Sequence, residues 1–158
     1  MRTGRRLAID VGKVRVGIAI SDLHGILASP LATLQREELQ TSLEPLLKCV
    51  SDFDDLLEIY VGLPINMKGE TTASTEDALE LALHLSSETS VPVRLLDERL
   101  TTSLANSQLR SLGKSQKDAR STIDQMAAVA ILEYAFQVEA NTGATPGRAL
   151  EEWRAEND

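Results

Sequence analysis

The sequence predicts an α/β layered domain: a five-stranded mixed sheet, three antiparallel strands then two added through helices, with helices on both faces. Three observations predict it. From Arg6 to Val11 and again from Val14 to Ser21 the chain alternates with a period of two. From Glu37 onward the apolar period becomes helical, and helix-type and strand-type segments then alternate. The length, 158 residues, suits one domain with a core large enough to need no disulfide or structural metal.

The elements follow in order. Arg6 to Val11 sets Leu7, Ile9 and Val11 on one side and Ala8 and Asp10 on the other. Gly12-Lys13 reads as a turn, and Val14 to Ser21 alternates again, so the two runs form a hairpin. Asp22-Leu-His-Gly25 is a second turn. Ile26 to Leu34 is a third strand, and Pro30 within it suits an edge or a bulge. Glu37 to about Phe53 carries a helical stripe that Pro45 kinks or breaks. Leu56 to Gly62 is a strand, Ala73 to Glu88 a helix, and Val91 to Leu96 a strand. Thr101 to Leu112 reads as a helix stopping at Gly113, and Ser121 to about Val138 as a long apolar helix. Residues 1–138 therefore form the domain. Residues 139–158, with Gly143, Pro146, Gly147 and many acids, are expected to be a loose acidic tail.

Composition excludes several classes. One cysteine, Cys49, rules out an internal disulfide framework and a Cys-rich zinc site, and is expected as a small buried apolar residue. His24 and His84 are too few for a histidine metal centre and are assigned to a turn and a helix surface. No apolar run approaches the roughly 18 residues that span a bilayer, and no signal peptide is read, so no membrane contact and a cytoplasmic location are expected. Thr101, Ser103 and Ser107 lack a nucleophile-elbow context. Net charge is −8, yet residues 1–20 hold five basic residues against Asp10, and residues 94–120 hold six against three acids. Either these stretches are ordinary solvated surface, or they meet and make a positive face for a phosphate backbone.

Three acids at element ends are the main chemical clue. Asp10 stands near the end of a central strand among small residues, so it needs a partner, a network or a metal; a salt bridge to Arg15 or capping around Gly12 is the plainer reading. Asp97-Glu98-Arg99 closes a strand where open α/β sheets keep their sites, or serves as a polar strand end that pairs with Arg99 or caps the following helix. Asp124 fits a capping box with Ser121 and equally a rigid place from which to present a carboxylate. Together, hard oxygen donors without histidine or thiolate suit one or two magnesium or manganese ions acting on a phosphodiester.

Four segments carry a resemblance. Asp10-Val-Gly-Lys-Val-Arg-Val-Gly-Ile-Ala19, Val61-Gly-Leu-Pro-Ile-Asn-Met-Lys-Gly69, Asp97-Glu-Arg-Leu-Thr-Thr102 and Asp124-Gln-Met-Ala-Ala128 resemble, in order, motifs of the YqgF family. That family is described as Holliday-junction resolvases and as pre-16S rRNA nucleases. The resemblance, from about Leu7 to Phe136, implies an RNase H-like fold and a metal-dependent hydrolase that cleaves phosphodiester bonds in processing the 5′ end of pre-16S rRNA during ribosome biogenesis. It implies Asp10, Glu98 and Asp124 as catalytic acids and ligands of Mg2+ or Mn2+, with Lys13, Arg15, Arg99, Lys114, Lys117 and Arg120 near nucleic acid. The chain departs from the pattern at Lys68, where Asp is common, in its diluted basic run Lys114 to Arg120, and in its acidic helix at 73–88. Fewer phosphate contacts imply weaker substrate binding.

Rival readings are a Holliday junction resolvase acting on four-way DNA and a non-catalytic RNA- or ribosome-binding module on the same fold. The first needs two sites in a dimer, whereas the RNA reading leaves monomer or homodimer open. An actin-like ATPase, which also opens with Asp-x-Gly, needs a second related domain that 158 residues do not supply.

Overall fold

A computed structural model describes the backbone of residues 1–100 and 116–157 and the side chains of residues 1–99 and 125–156. Strands β1 (Arg5–Val11) and β2 (Arg15–Ser21) form the expected hairpin, and β3 (Ala28–Gln35) pairs antiparallel with β2. β3 is the sheet edge, and the register slips between Ile18 and Ala19, opposite Pro30. A proline that cannot donate to a ladder thus sits at both an edge and a bulge. The expected helix at 37–53 is two helices, α1 (Arg36–Thr41) and α2 (Glu44–Ser51), with Pro45 in the first turn of the second. There its missing N–H costs nothing.

β4 (Leu56–Leu63) and β5 (Val93–Asp97) add in parallel beside β1, joined by α3 (Ala73–Glu88). Thr72 and Thr75 close a capping box at the start of α3. Glu98–Leu100 form a 3-10 turn directly after β5. Helix α4 (Gln116–Thr142) crosses the sheet; it begins before the expected start at Ser121, so Asp124 lies within the helix and the capping box expected at Ser121 does not start it. The helix expected at Thr101–Leu112 lies outside the described residues.

The strand count differs from expectation. The sheet has six strands, β3-β2-β1-β4-β5-β6, because Arg148–Ala149 (β6) pairs antiparallel with Arg94 and Leu95. The stretch expected as a loose tail is therefore ordered. α4 runs through Glu139 to Thr142, and after β6 comes α5 (Leu150–Asn157). Its reasons are specific: Gly147 turns at φ +74°, and the Arg94 guanidinium donates to the carbonyls of Pro146 and Gly147. Leu150 is buried and Trp153 packs against the core.

The period of two in each strand sorts side chains to two faces. Leu7, Ile9, Val16, Ile18, Ile59, Val61 and Leu95 meet α1, α2, α3 and α5 on one face. Ala8, Ala19, Tyr60 and Leu96 meet Ala128, Ile131, Leu132 and Ala135 of α4 on the other. Small residues on both sides of that second contact let α4 lie close to the sheet. Among the described residues, no helix is long and apolar enough to cross a membrane. His24 and His84 are exposed, in a turn and on α3, as expected, and Cys49 is half-buried against the core.

Candidate active site

The site is built on the α4 face, at the C-terminal ends of β1, β4 and β5. Asp10 faces that side from β1, as Ala8 does. Its partner across the hairpin is Gly17, so no side chain crowds it from β2. On the other flank β4 places Gly62, which pairs with Leu96 near the end of β5. Glu98 follows one residue past β5. Strands two apart in a sheet are separated by about 9–10 Å, so side chains can meet across the middle strand only if it leaves room. Gly62 leaves that room. A Cβ there would lie 3.4 Å from the Glu98 carboxyl carbon and 2.7 Å from Cδ1 of Ile131.

The two carboxyl groups meet. Glu98 is hydrogen-bonded to Asp10, and its carboxyl is pushed up to about 10, by burial first and then by the hydrogen bond and the negative charge of Asp10. A carboxyl that stays protonated at neutral pH beside a second acid marks a place where negative charge accumulates. Neighbouring Asp97 goes the other way. Burial would raise it, but Arg99 outweighs burial by donating hydrogen bonds from its side chain and backbone and lowers it. The plain pairing considered for Asp97-Glu98-Arg99 thus holds for Asp97, while Glu98 turns to Asp10.

Asp124 lies on α4, and its side chain is outside the described residues. Its place along the sheet can still be read from its neighbour. The Gln125 amide donates to the Thr33 hydroxyl at 3.0 Å. Thr33 pairs with Gly17, and Gly17 with Asp10, so this turn of α4 lies over the sheet level that carries Asp10. Among the described residues, no group of three or more His, Cys, Asp or Glu side chains converges. Asp10 and Glu98 are thus the two candidate acids shown together.

The candidate phosphate-binding residues divide in the same way. Lys13 is exposed in the β1–β2 turn, and Arg15 is half-buried at the start of β2. Arg99 is at the rim, gripped by Asp97, with a guanidinium nitrogen 3.5 Å from where a Cβ on Gly69 would stand. Lys114 lies outside the described residues, as do the side chains of Lys117 and Arg120. One positioning pair went unnoticed in the sequence. Arg36 donates to the Gly12 carbonyl at 2.9 Å and forms a two-armed ion pair with Asp77 at 2.6 and 2.8 Å, tying the turn after Asp10 to α3. The only sequence signal was an unmatched Arg at the end of an edge strand.

Comparison with known proteins shows what the chain and its fold are similar to. A family model described as "RuvX: Holliday junction resolvase" matches residues 4–138. A protein of Clavibacter michiganensis subsp. michiganensis named "Putative pre-16S rRNA nuclease" is 42% identical over 158 residues, covering 100% of this chain and 98% of its own length. One of Leifsonia xyli subsp. xyli with the same name is 46% identical over 151 residues, covering 96% and 97%. Among solved structures, T. thermophilus RuvC in complex with Holliday junction substrate aligns with a TM-score of 0.55 at 16% identity, over 89% of this chain and 96% of that one. That last likeness is one of fold.

Proposed function

Taking as premise that the chain belongs to the RuvX family, we propose that it is a metal-dependent nuclease that hydrolyses phosphodiester bonds in a precursor of 16S ribosomal RNA, in the cytoplasm. The observation that carries the reading is the Asp10–Glu98 carboxyl pair meeting over Gly62. Two hydrogen-bonded acids with one pushed up to about 10 fit a hard divalent cation, magnesium or manganese, which would replace the proton that now reconciles them. Asp10 and Glu98 would hold it, with Asp124 presented from the α4 turn above the same sheet level. Bound there, such an ion would supply charge neutralisation and would acidify a water for phosphodiester hydrolysis.

The chain's own residues supply the rest. Gly17 and Gly62 keep the space around Asp10 open to a backbone phosphate. Arg36 holds the turn behind Asp10. Arg99, oriented by Asp97, stands at the rim for the substrate strand. Lys13 and Arg15 would extend the contact along the strand, and Lys114, Lys117 and Arg120 would extend it from the side of α4.

The test is cleavage of a 16S rRNA precursor and of a four-way DNA junction, each with magnesium or manganese, by the native chain and by Asp10→Asn. Cutting of the precursor by the native chain alone supports the reading. Equal cutting by the variant removes Asp10 from the chemistry. The family description supplies one second reading, resolution of a four-way junction, which would need two sites in a homodimer. Cutting of the junction alone would favour it, and specific binding without cutting would favour an RNA-binding module.

A further inference from the structure

A cavity of about 490 Å³ opens at the edge of β5, lined by Leu95 and Arg148 of the β5–β6 pair and by Leu96 beyond it. Asp97 and Arg99, the neighbours of Glu98 on either side, line it. Its two aromatic walls come from opposite faces of the sheet. Tyr134 reaches it from α4, where it packs with the cluster around Tyr60, and Trp153 reaches it from α5, where it packs with the cluster around Leu95. The volume lies within the range of about 300–1,000 Å³ usual for small-ligand pockets.

The charge around this cavity is matched rather than basic. Arg99 pairs with Asp97, and Arg148 with Glu156, all four of them lining residues. Such a site offers aromatic faces, apolar contact with Leu95 and Leu96, and alternating donors and acceptors, but no net cation for a phosphate. Those are the needs of a flat, neutral heterocycle with polar edges. A base inside a duplex has its faces and edges already occupied, whereas an unpaired base has both to offer.

We propose that this cavity receives one unpaired nucleobase of the substrate, next to the phosphodiester held at Asp10 and Glu98. The proposal rests on the nuclease reading above and specifies its substrate: a strand with an unpaired residue at the cut. Tyr134 and Trp153 supply the stacking surface, and the Arg99–Asp97 and Arg148–Glu156 pairs meet the base edge.

Trp153 is the chain's single tryptophan, so all tryptophan emission comes from the place where α5 meets the sheet, and the Tyr134 variants tie a change in it to this cavity rather than to the one on the α3 side that Trp153 also lines. The experiment titrates the full-length Asp10→Asn chain with an eight-nucleotide single-stranded RNA, the DNA of the same sequence, and the fully paired RNA duplex. Trp153 emission and the anisotropy of an end-labelled strand are read together. Single strands are expected to change the emission saturably and the duplex to leave it unchanged. RNA acting alone would place sugar recognition in the site, and both strands acting equally would place base recognition there; either supports the cavity. Tyr134→Leu is expected to weaken single-strand binding roughly tenfold, the scale of losing one stacked base, while Tyr134→Phe preserves it. Unchanged thermal midpoints in both variants show that the fold is intact. Strands that bind by anisotropy without altering Trp153 emission, or that bind Tyr134→Leu as well as the parent, would overturn the cavity proposal and leave the nuclease reading standing. Absence of binding by either readout would overturn the cavity proposal, while cleavage of the precursor by the native chain decides the nuclease reading separately.

Discussion

At one end of the sheet face beneath α4, Asp10 and Glu98 bring two acids together. At the other end, Arg2 and Arg6 interleave with Glu58 and Glu139. The Glu139 carboxylate accepts from the Arg2 side chain at 2.5 Å and from Arg6 at 2.9 Å, and Glu58 accepts from Arg2 at 2.5 Å and from the Tyr60 hydroxyl. Arg6, Glu58 and Glu139 are all buried. Burial would raise Glu139, yet hydrogen bonds from Arg2 and the charges of both arginines hold it low. Burial likewise raises Glu98, and there its neighbour Asp10 adds to the rise. The same strands and the same helix therefore end in a matched network and in a like-charged pair. The matched end closes the fold, joining the N-terminus, β4 and the end of α4. The like-charged end is costly for the fold and useful only if something positive arrives. That contrast is why the acids at 10 and 98, and not those at 58 and 139, are assigned to chemistry.

The contrast breaks most visibly in two substitutions. Asp10→Asn is expected to reduce cleavage by 10²–10³-fold or more, roughly the scale of losing one electrostatic stabiliser of a transition state, with the fold retained. Glu139→Gln acts at the opposite pole. It leaves Arg6, 1% exposed, without its carboxylate, and is expected to cost about 3–5 kcal/mol in denaturant unfolding. Cleavage per folded molecule should stay near the parent value. If Glu139→Gln abolished cleavage without loss of stability, the division of labour between the poles would be wrong.

How much of this the sequence disclosed depends on the range of the interaction involved. The hairpin, the parallel strands and α4 were legible because period-two and helical patterns are local. The placing of Asp10 among small residues was legible too, since Ala8, Gly17 and Ala19 follow from hairpin register. The docking of residues 143–157 was not. Its cause is a turn at Gly147 held by Arg94, about fifty residues away, and a two-residue strand is too short to show a period. The ion network was also invisible, because it joins Arg2 to Glu139 across nearly the whole chain. The role of Gly62 emerged only with the strand order, which puts β4 between β1 and β5.

Gly62→Ala sharpens the comparison at the like-charged end. The added methyl would stand 2.7 Å from Ile131 Cδ1 and 3.4 Å from the Glu98 carboxyl carbon. The isoleucine tip can turn aside, so the stability loss should be about 1 kcal/mol in denaturant unfolding. Displacing Glu98 should cost cleavage ~10-fold or more, since small misplacements near reacting groups are amplified. Adding Ile131→Val removes the Cδ1 contact and should restore stability without restoring cleavage. Recovery of both together would show that Gly62 serves helix packing alone.

The smallest expected effect concerns the metal-free protein and pH. Glu98 sits at about 10 in the fold against an ordinary value of 4.5, so between those limits the folded chain holds a proton that the unfolded chain has released. Stability then falls as pH rises through that window, because folding must either keep the proton or tolerate two adjacent negative charges. Asp10→Asn removes the charge that adds to the rise, so the variant should lose less stability with rising pH. At pH 8 we expect it to be the more stable protein by ~1 kcal/mol, a gain of the size usual when a strained functional site is relieved. Thermal unfolding of both proteins in chelator, from pH 5 to 9, measures this directly. Parallel curves for the two proteins would mean that Asp10 and Glu98 do not share a proton. Magnesium should then reverse the ranking, since it stabilises the native chain and finds one carboxylate fewer in the variant.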